Sequence, residues 1–248
     1  MSEILSQEEI DNLLNAMASG NDVIEQAPVN EKKVSIYNFA RPSKFGKEQL
    51  RTLEIIFDNF ARVSSSFLTG YLRTTTTIEV LSSEQLTYGE FNNSLLNPIV
   101  LSIIDFSPFK GSIILDLSSN IGYAMLDRIL GGTGETIDKT RDFTEIEVTL
   151  LSRIMENVVN RLEEPWGQVC EVSPRLEKIE TNSQFAQIMS PNEMVALVTL
   201  SIKVGEVEGL MNFCIPYIVI KPIVGNLNTK HWFSSVDENN DGQYKPFV

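Results

Sequence analysis

Few residues of this sequence belong to the types that usually carry catalysis or bind metals. The chain has 248 residues, with one histidine, His231, and two cysteines, Cys170 and Cys214. A Ser-His-Asp or Cys-His site needs a histidine beside a nucleophile, and nothing in the sequence places His231 there. A zinc site needs three or four soft or imidazole ligands, and the two cysteines form no C-x-x-C pair. We therefore predict a packed or surface histidine, no metal, no cofactor and a reducing compartment.

A glycine-rich segment, GGTG, occupies positions 131–134. It lacks the Lys-Ser/Thr pair that completes a P-loop. A dinucleotide fingerprint follows a strand, whereas this segment follows the apolar, helix-like stretch Ala124–Leu130. Glycines commonly end helices. Two interpretations stay open: a helix stop with a mobile loop, or an exposed loop whose small residues let another backbone approach closely.

An acidic cluster from Asp237 to Gly242 imitates the first half of a calcium-binding loop. The twelfth position of such a loop carries a bidentate Glu, and Val248 stands there instead. We interpret the cluster as part of a polar tail or linker over residues 234–248.

The charge balance excludes two classes of partner. Lysine and arginine total 20 against 33 aspartate and glutamate residues, a formal net charge of −13. Nucleic acid and anionic membrane surfaces both need a basic face.

The acidic N-terminus lacks the basic and apolar regions of a signal peptide, and no apolar stretch reaches the ~20 residues of a membrane span. We expect a cytoplasmic protein with protein partners.

The N-terminal 33 residues predict a flexible segment with one amphipathic helix over residues 6–17. Ser6 and Glu9 have the spacing of a capping box. Four apolar residues recur with helical spacing and share one face. They are Ile10, Leu13, Leu14 and Met17. An isolated helix of about twelve residues is marginal in water, so this face needs a surface. Docking on a partner, packing on its own domain and disorder all stay open.

A repeat with an offset of 98 residues runs through the rest of the chain. Helical-period stretches at 47–73 and 143–166 carry matching apolar stripes. Leu50, Leu53, Ile56, Phe57 and Phe60 map onto Val148, Leu151, Ile154, Met155 and Val158. The offset also carries three strand-like segments onto later ones: Ile78–Leu81 onto Leu176–Ile179, Ile99–Phe106 onto Leu197–Val204, and the run from Gly111 onto the run from Gly209. Such self-similarity indicates two copies of one unit.

The order of elements predicts an α+β (α/β) fold. Consecutive β-branched, alternating segments indicate antiparallel meanders, and long helices alternating with them indicate helices packed on a sheet. We expect two halves related by a pseudo-twofold axis within one domain over residues 34–233.

Three segments together resemble the flagellar motor switch protein family FliM. LSQEEIDNLLNAM at 5–17 resembles the family's N-terminal peptide, which binds phosphorylated CheY. VSIYNFARPSKFGKEQLRTLEIIFDNFARVSSSFLTGYLR at 34–73 is similar to the entry into its middle domain, and GGTG matches its GGxG loop. The resemblance covers roughly residues 4–233. FliY shares the first motif, whereas YNFARP at 37–42 and GGTG favour FliM.

The resemblance implies a CheC-like middle domain in the cytoplasmic C-ring at the base of the bacterial flagellum, peripheral to the inner face of the cell membrane. Neighbouring copies would lie side by side in that ring. The implied contacts to FliG are Gly131, Gly132, Thr133 and Gly134. The implied contacts to CheY are Ile10, Asp11, Leu13 and Leu14. Full members continue into a FliN-like domain that this chain lacks, so FliN binding is not expected of it.

Relatives with this fold include CheY-phosphate phosphatases. Their helix signature is Asp or Ser, three residues, Glu, two residues and then Asn. Ser152 and Glu156 fit, but Val159 stands at the Asn position. Asn160 comes one residue late, about 100° around a helix. The first-repeat positions also lack the Asn; they are Glu54, Asp58 and Ala61. We therefore predict a non-enzymatic switch component, with a CheC/FliY-like phosphatase as the alternative.

Overall fold

Six α-helices and six strands follow one another in a computed structural model of the chain, which describes residues 43–135, 141–185 and 188–227. The first half contains α1 (Lys47–Leu72), β1 (Thr76–Thr87), α2 (Tyr88–Ser94), β2 (Ile99–Ser107), β3 (Ser112–Ser118) and α3 (Ser119–Leu130). The second contains α4 (Glu145–Asn160), α5 (Glu163–Trp166), β4 (Ser173–Glu180), β5 (Met194–Val204), β6 (Val207–Pro216) and α6 (Tyr217–Ile220). Short 3-10 turns lie at Ser183–Phe185 and Lys221–Ile223. The predicted helical stretch at 47–73 is confirmed, whereas the stretch at 143–166 is divided into α4 and α5 by a turn at residues 161–162.

Several predicted features lie outside the described residues. They are the N-terminal helix at 6–17 with its four predicted CheY contacts, the domain boundary at residue 34, His231, and the polar tail at 234–248. Within the described ranges, no helix combines the length and the apolar character that crossing a bilayer requires.

The long helix α1 forms because its apolar residues recur with helical spacing. Leu53, Ile56, Phe57 and Phe60 are completely buried on one stripe. At its start, the Gly46 N–H donates to the Gln49 side chain at 2.8 Å. This bond satisfies one of the backbone N–H groups that have no partner within the first turn of a helix. Each apolar side chain that is removed from water contributes about 1.5–3 kcal/mol. The stripe therefore fixes α1 on the sheet.

All six strands form one antiparallel sheet in the order β1-β5-β6-β3-β2-β4. The predicted meander is correct for the hairpins β2–β3 and β5–β6. It is wrong for β1 and β4, because each pairs with a strand of the other half. Alternation along a strand reports which face is buried, and it carries no information on which neighbour the strand will choose.

The strand register confirms the predicted pseudo-twofold symmetry. Ile78 of β1 pairs with Ile202 of β5. Under the offset of 98, Ile78 corresponds to Leu176 of β4 and Ile202 corresponds to Ile104 of β2. These two counterparts are also paired with each other. The two exchanged pairs of strands therefore have equivalent registers.

The two hairpins differ in length, which corrects the predicted uniform offset. Ile104 pairs with Ile113, whereas its counterpart Ile202 pairs with Gly209. Since 209 minus 98 is 111, the β2–β3 hairpin is two residues longer, and Gly209 corresponds to Ile113 and not to Gly111. The offset is therefore 96 in β3 and β6. With that offset, Asp116 and Asn212 are each other's counterparts, and they are also direct partners in the β3–β6 pairing. The pseudo-twofold axis passes between them.

The two faces of the sheet are covered unequally. On one face the large helices bury the main core, in which Phe57 meets Phe213 with ring centroids 4.6 Å apart and Phe106 meets Trp166 at 5.0 Å. On the other face, the short helix α2 covers a smaller cluster that includes Tyr88, Phe91 and Cys214. Part of this second face stays open around the pseudo-twofold axis.

Asp116 is buried at this axis and is 7% exposed. The Asn212 amide donates to its carboxylate at 2.8 Å. Burial raises the pKa of Asp116 to about 6, and the hydrogen bond from Asn212 lowers it only in part. The charged form is therefore costly in the folded protein.

We predict that Asp116→Asn stabilises the protein in a pH-dependent way. An acid whose pKa is higher in the folded state reduces the free energy of unfolding as the pH rises from about 4 to about 6, because the unfolded chain ionises first. The exchange keeps an acceptor oxygen for Asn212 and removes the charge. We expect urea unfolding to show a gain of about 2–3 kcal/mol at pH 8 and little gain at pH 4. Glu84→Gln, at an exposed carboxylate of β1, is the control. A gain that is equal at both pH values would contradict the prediction.

Candidate functional site

The GGTG segment directly follows α3, where Gly131 ends the helix with a φ of 93°. The Gly131 N–H donates to the Arg128 carbonyl at 3.2 Å, and the Gly132 N–H donates to the Asp127 carbonyl at 2.8 Å. Free carbonyls at the helix end are thus satisfied by the turn. Gly131 and Thr133 are exposed. The segment therefore ends the helix and exposes Gly131 and Thr133, whereas Gly134 is buried. The close approach of another backbone stays a prediction.

Asp127 and Arg128 explain why glycine stands at two of these positions. Its carboxylate accepts the Gly134 N–H at 2.7 Å, which folds the loop back over the end of the helix. A Cβ atom at Gly132 would overlap this carboxylate, and one at Gly134 would lie 2.7 Å from the Arg128 side chain. Gly134 also has a φ of 79°, which favours glycine.

Arg128 connects the loop to the end of α1. Its guanidinium donates to the carbonyls of Gly132 at 3.0 Å and Leu72 at 3.2 Å, and also to the carbonyl of Arg73. Hydrogen bonds from a charged donor contribute about 1.5–3 kcal/mol each. A single side chain therefore sets the distance between the loop and the C-terminal end of the long helix.

The chain that returns from the loop is anchored on α3 as well. The Tyr123 hydroxyl donates to the Arg141 carbonyl, and Phe143 stacks on Tyr123 with centroids 4.2 Å apart. The Arg141 guanidinium donates to Glu147 at 2.8 Å, which holds the pKa of that carboxyl at about 2. Thr144 and Glu147 form the capping box that begins α4. Both ends of the 131–141 connection are therefore fixed by α3.

Apolar side chains flank the loop. Leu130, the last residue of α3, is 70% exposed, and Tyr71 near the end of α1 is 42% exposed. Tyr71 stacks on Phe67 with centroids 5.3 Å apart, so its ring is held in place. Small exposed residues beside fixed apolar groups suit the close approach of a protein partner.

The positions of the phosphatase signature are arranged differently from a catalytic site. Val159 is completely buried and Ala61 is 3% exposed, so both Asn positions point into the core. Glu156 and Asp58 are exposed, and the Ser152 hydroxyl donates to the Val148 carbonyl at 2.8 Å. On both long helices, the position that would need an amide to orient a water is therefore buried in the main core.

The described residues offer little metal or thiol chemistry. They contain no group of three or more His, Cys, Asp or Glu side chains that could hold a metal ion. Both cysteines are free thiols. Burial raises the pKa of Cys170 to about 11 and raises that of Cys214 further. Neutral thiols are poor nucleophiles and poor ligands.

The structure brings Gly131, Gly132, Thr133 and Gly134 together in one anchored loop. The sequence did not identify Asp127 and Arg128 as the residues that shape it. The available signal was two adjacent charges in an otherwise apolar helix, directly before the glycines.

We predict that Arg128→Met loosens the loop and leaves the rest of the domain folded. Methionine keeps much of the aliphatic stem and removes the donors. Because the three bonds are partly or fully exposed and water can replace them, we expect the free energy of unfolding to fall by only about 1–2 kcal/mol in total. Hydrogen exchange at the Gly132 and Gly134 amides should accelerate by about tenfold or more. Arg62→Met, at an exposed position of α1, should leave both measurements unchanged. Unchanged exchange at the two glycines would show that Arg128 does not hold the loop.

Known proteins resemble this chain over most of its length. A family model described as flagellar motor switch protein FliM matches residues 46–232. FliM of Treponema pallidum is 46% identical over 98% of this chain and 72% of its own length. FliM of Borreliella burgdorferi is 44% identical over 94% of this chain and 69% of its own length.

Solved structures agree in fold. A FliG–FliM complex from H. pylori contains a chain that is 37% identical, with a TM-score of 0.70, covering 73% of this chain and 99% of that one. Thermotoga maritima FliY, at 16% identity and a TM-score of 0.67, shares the fold. The anchored GGTG loop, the duplicated sheet and these relatives lead to one conclusion: the chain belongs to the FliM family of flagellar motor switch proteins.

Proposed function

We propose that this chain is a non-catalytic part of the motor switch that joins FliG through the GGTG loop and captures phosphorylated CheY through its N-terminal segment. The observation that carries the proposal is the exposed loop held on both sides by α3. A similar chain from H. pylori was crystallised with FliG. The proposed location is the cytoplasmic C-ring of the flagellar basal body, where copies of the chain lie side by side.

The geometry of the loop supports a FliG contact at Gly131, Gly132, Thr133 and Gly134. Asp127 and Arg128 fix the backbone before any partner arrives, so little conformational entropy is lost on binding. The flanking Leu130 and Tyr71 supply apolar area that binding can remove from water. The burial of Val159 and Ala61 disfavours the phosphatase alternative.

The FliG contact can be tested by adding bulk to the loop. Gly132→Val displaces the Asp127 carboxylate, and Thr133→Trp adds volume at an exposed position without that overlap. We expect each variant to bind FliG of the same organism at least about tenfold more weakly in calorimetry, a loss of about 1.4 kcal/mol.

Gly225→Val is the matched control, since a Cβ there meets nothing within 4 Å. Gly225 lies near the start of α1, because the Gln49 side chain in the first turn of that helix donates to the carbonyl of the neighbouring Val224. The GGTG loop lies at the other end of the same helix. Thermal unfolding establishes that every variant is folded. Full FliG binding by the folded Thr133→Trp variant would move the interface away from the loop.

The CheY contact rests on the predicted apolar face of the N-terminal segment, with Ile10, Leu13 and Leu14 against the partner and Asp11 beside them. A short helix on a tether gains its stability from the surface on which it docks. Ordering the tether offsets part of the gain, so a modest and reversible affinity is expected. Captured CheY would then favour one of two arrangements of the middle domain and FliG.

We expect the double exchange of Leu13 and Leu14 to serine to weaken binding of phosphorylated CheY by at least about tenfold, because burying a leucine contributes about 1.5–3 kcal/mol. Serine exchanges at Asn12 and Asn15, which lie off the apolar face, should have little effect. FliG binding should stay unchanged in both variants. Normal CheY binding by the variant with serine at positions 13 and 14 would contradict a CheY contact through the N-terminal segment.

A further inference from the structure

A cleft of about 400 Å³ opens on the less covered face of the sheet, at the pseudo-twofold axis. Asp116 and Asn212 line it, and so do Leu96 and Leu210. Leu96 is 84% exposed and Leu210 is 43% exposed, whereas Asp116 is almost completely buried. The cleft thus combines exposed apolar side chains with a buried acid.

Two other polar side chains of the cleft, those of Ser118 and Asn120, are already engaged with the backbone. The Ser118 hydroxyl donates to the Leu210 carbonyl at 3.1 Å and accepts the Leu210 N–H at 2.9 Å. Asn120 accepts the Ile121 N–H at 2.9 Å and donates to the Glu208 carbonyl. These bonds leave the Ser118 and Asn120 side chains little capacity for a ligand. Asp116 differs, because an ionised carboxylate can accept about four hydrogen bonds.

Asp116 receives one neutral hydrogen bond, from Asn212, and the part of the chain that is described places no lysine or arginine within ion-pair distance of it. Cys214 interacts electrostatically with Asp116, and Tyr88 with Cys214, and neither side chain carries a positive charge. Lys203 pairs instead with Glu206 and Glu208. A buried carboxylate without a cation is costly, and the missing partner is a positive charge.

We propose that this cleft receives a lysine or arginine side chain of a partner protein, with the cationic head against Asp116 and the aliphatic stem along Leu96 and Leu210. Long basic side chains commonly bury their stems on apolar surface while their heads find a charged partner. The formal net charge of −13 favours the approach of a basic partner. The inference is independent of the FliG and CheY contacts, since it concerns the start of α3 and not the loop at its end.

Binding should depend on pH in a defined direction. The cation pairs with the ionised carboxylate, and Asp116 is half protonated near pH 6 in the free protein. Affinity should therefore fall by up to about tenfold for each pH unit below 6, and the bound cation should lower the pKa of Asp116.

N-propylguanidinium is a suitable probe, and propylurea is its neutral counterpart of nearly the same shape. Carbon NMR of the full chain follows the Asp116 carboxyl signal, assigned by its loss in Asp116→Asn, together with the methyl signals of Leu96 and Leu210. We expect N-propylguanidinium to shift all three and to lower the pKa of Asp116. Propylurea should bind the wild-type chain at least about tenfold more weakly than N-propylguanidinium does. N-propylguanidinium should bind the Asp116→Asn variant at least about tenfold more weakly than the wild type.

Asp105→Asn is the matched control, because Asp105 is a half-buried acid of β2 outside the cleft. It should bind N-propylguanidinium like the wild type. Equal binding of propylurea, an unshifted Asp116 signal at saturating cation, or binding of acetate in place of the cation would each overturn the proposal. The comparison of the two probes uses the wild-type chain and holds even where a variant fails to fold.

Discussion

The exchange of β1 and β4 between the two halves is the constraint on which the rest of the structure depends. Within the sheet, β2 has β3 on one side and β4 on the other, so β1 has no place beside the strand that follows it. It pairs with β5 instead, and neither half completes its sheet alone. The core is shared in the same way, since Phe57 of the first half packs on Phe213 of the second. Both halves must therefore fold together.

This shared sheet fixes α3 and, through α3, the loop. At the start of the helix, Ser118 and Asn120 bond to the backbone of β6. Gly209 allows this approach, because a Cβ there would lie 2.5 Å from Ile121. At the end of the helix, Asp127 and Arg128 hold the loop against the end of α1. A helix that is bonded at both ends couples the position of the loop to the position of the sheet.

Two polar side chains lie at the pseudo-twofold axis. The residues that face each other across it are Asp116 and Asn212, one acid and one amide. Two carboxylates at these positions would repel each other, and two apolar residues would form no hydrogen bond across the axis. The observed pair keeps one hydrogen bond and one charge, at a cost in stability that a cationic ligand would offset.

The sequence by itself determined the elements and their duplication. Helical spacing of Leu53, Ile56 and Phe57 and the alternation in β5 fix the faces that are buried, because burial of apolar area is a local consequence of periodicity. It also located the glycine loop. The pairing of β1 with β5, the longer β2–β3 hairpin, and the contacts of Asp127, Arg128 and Asp116 depend on partners distant in the chain. Only the tertiary structure decided them, because a one-dimensional pattern shows which side of a segment is covered and cannot show which segment covers it.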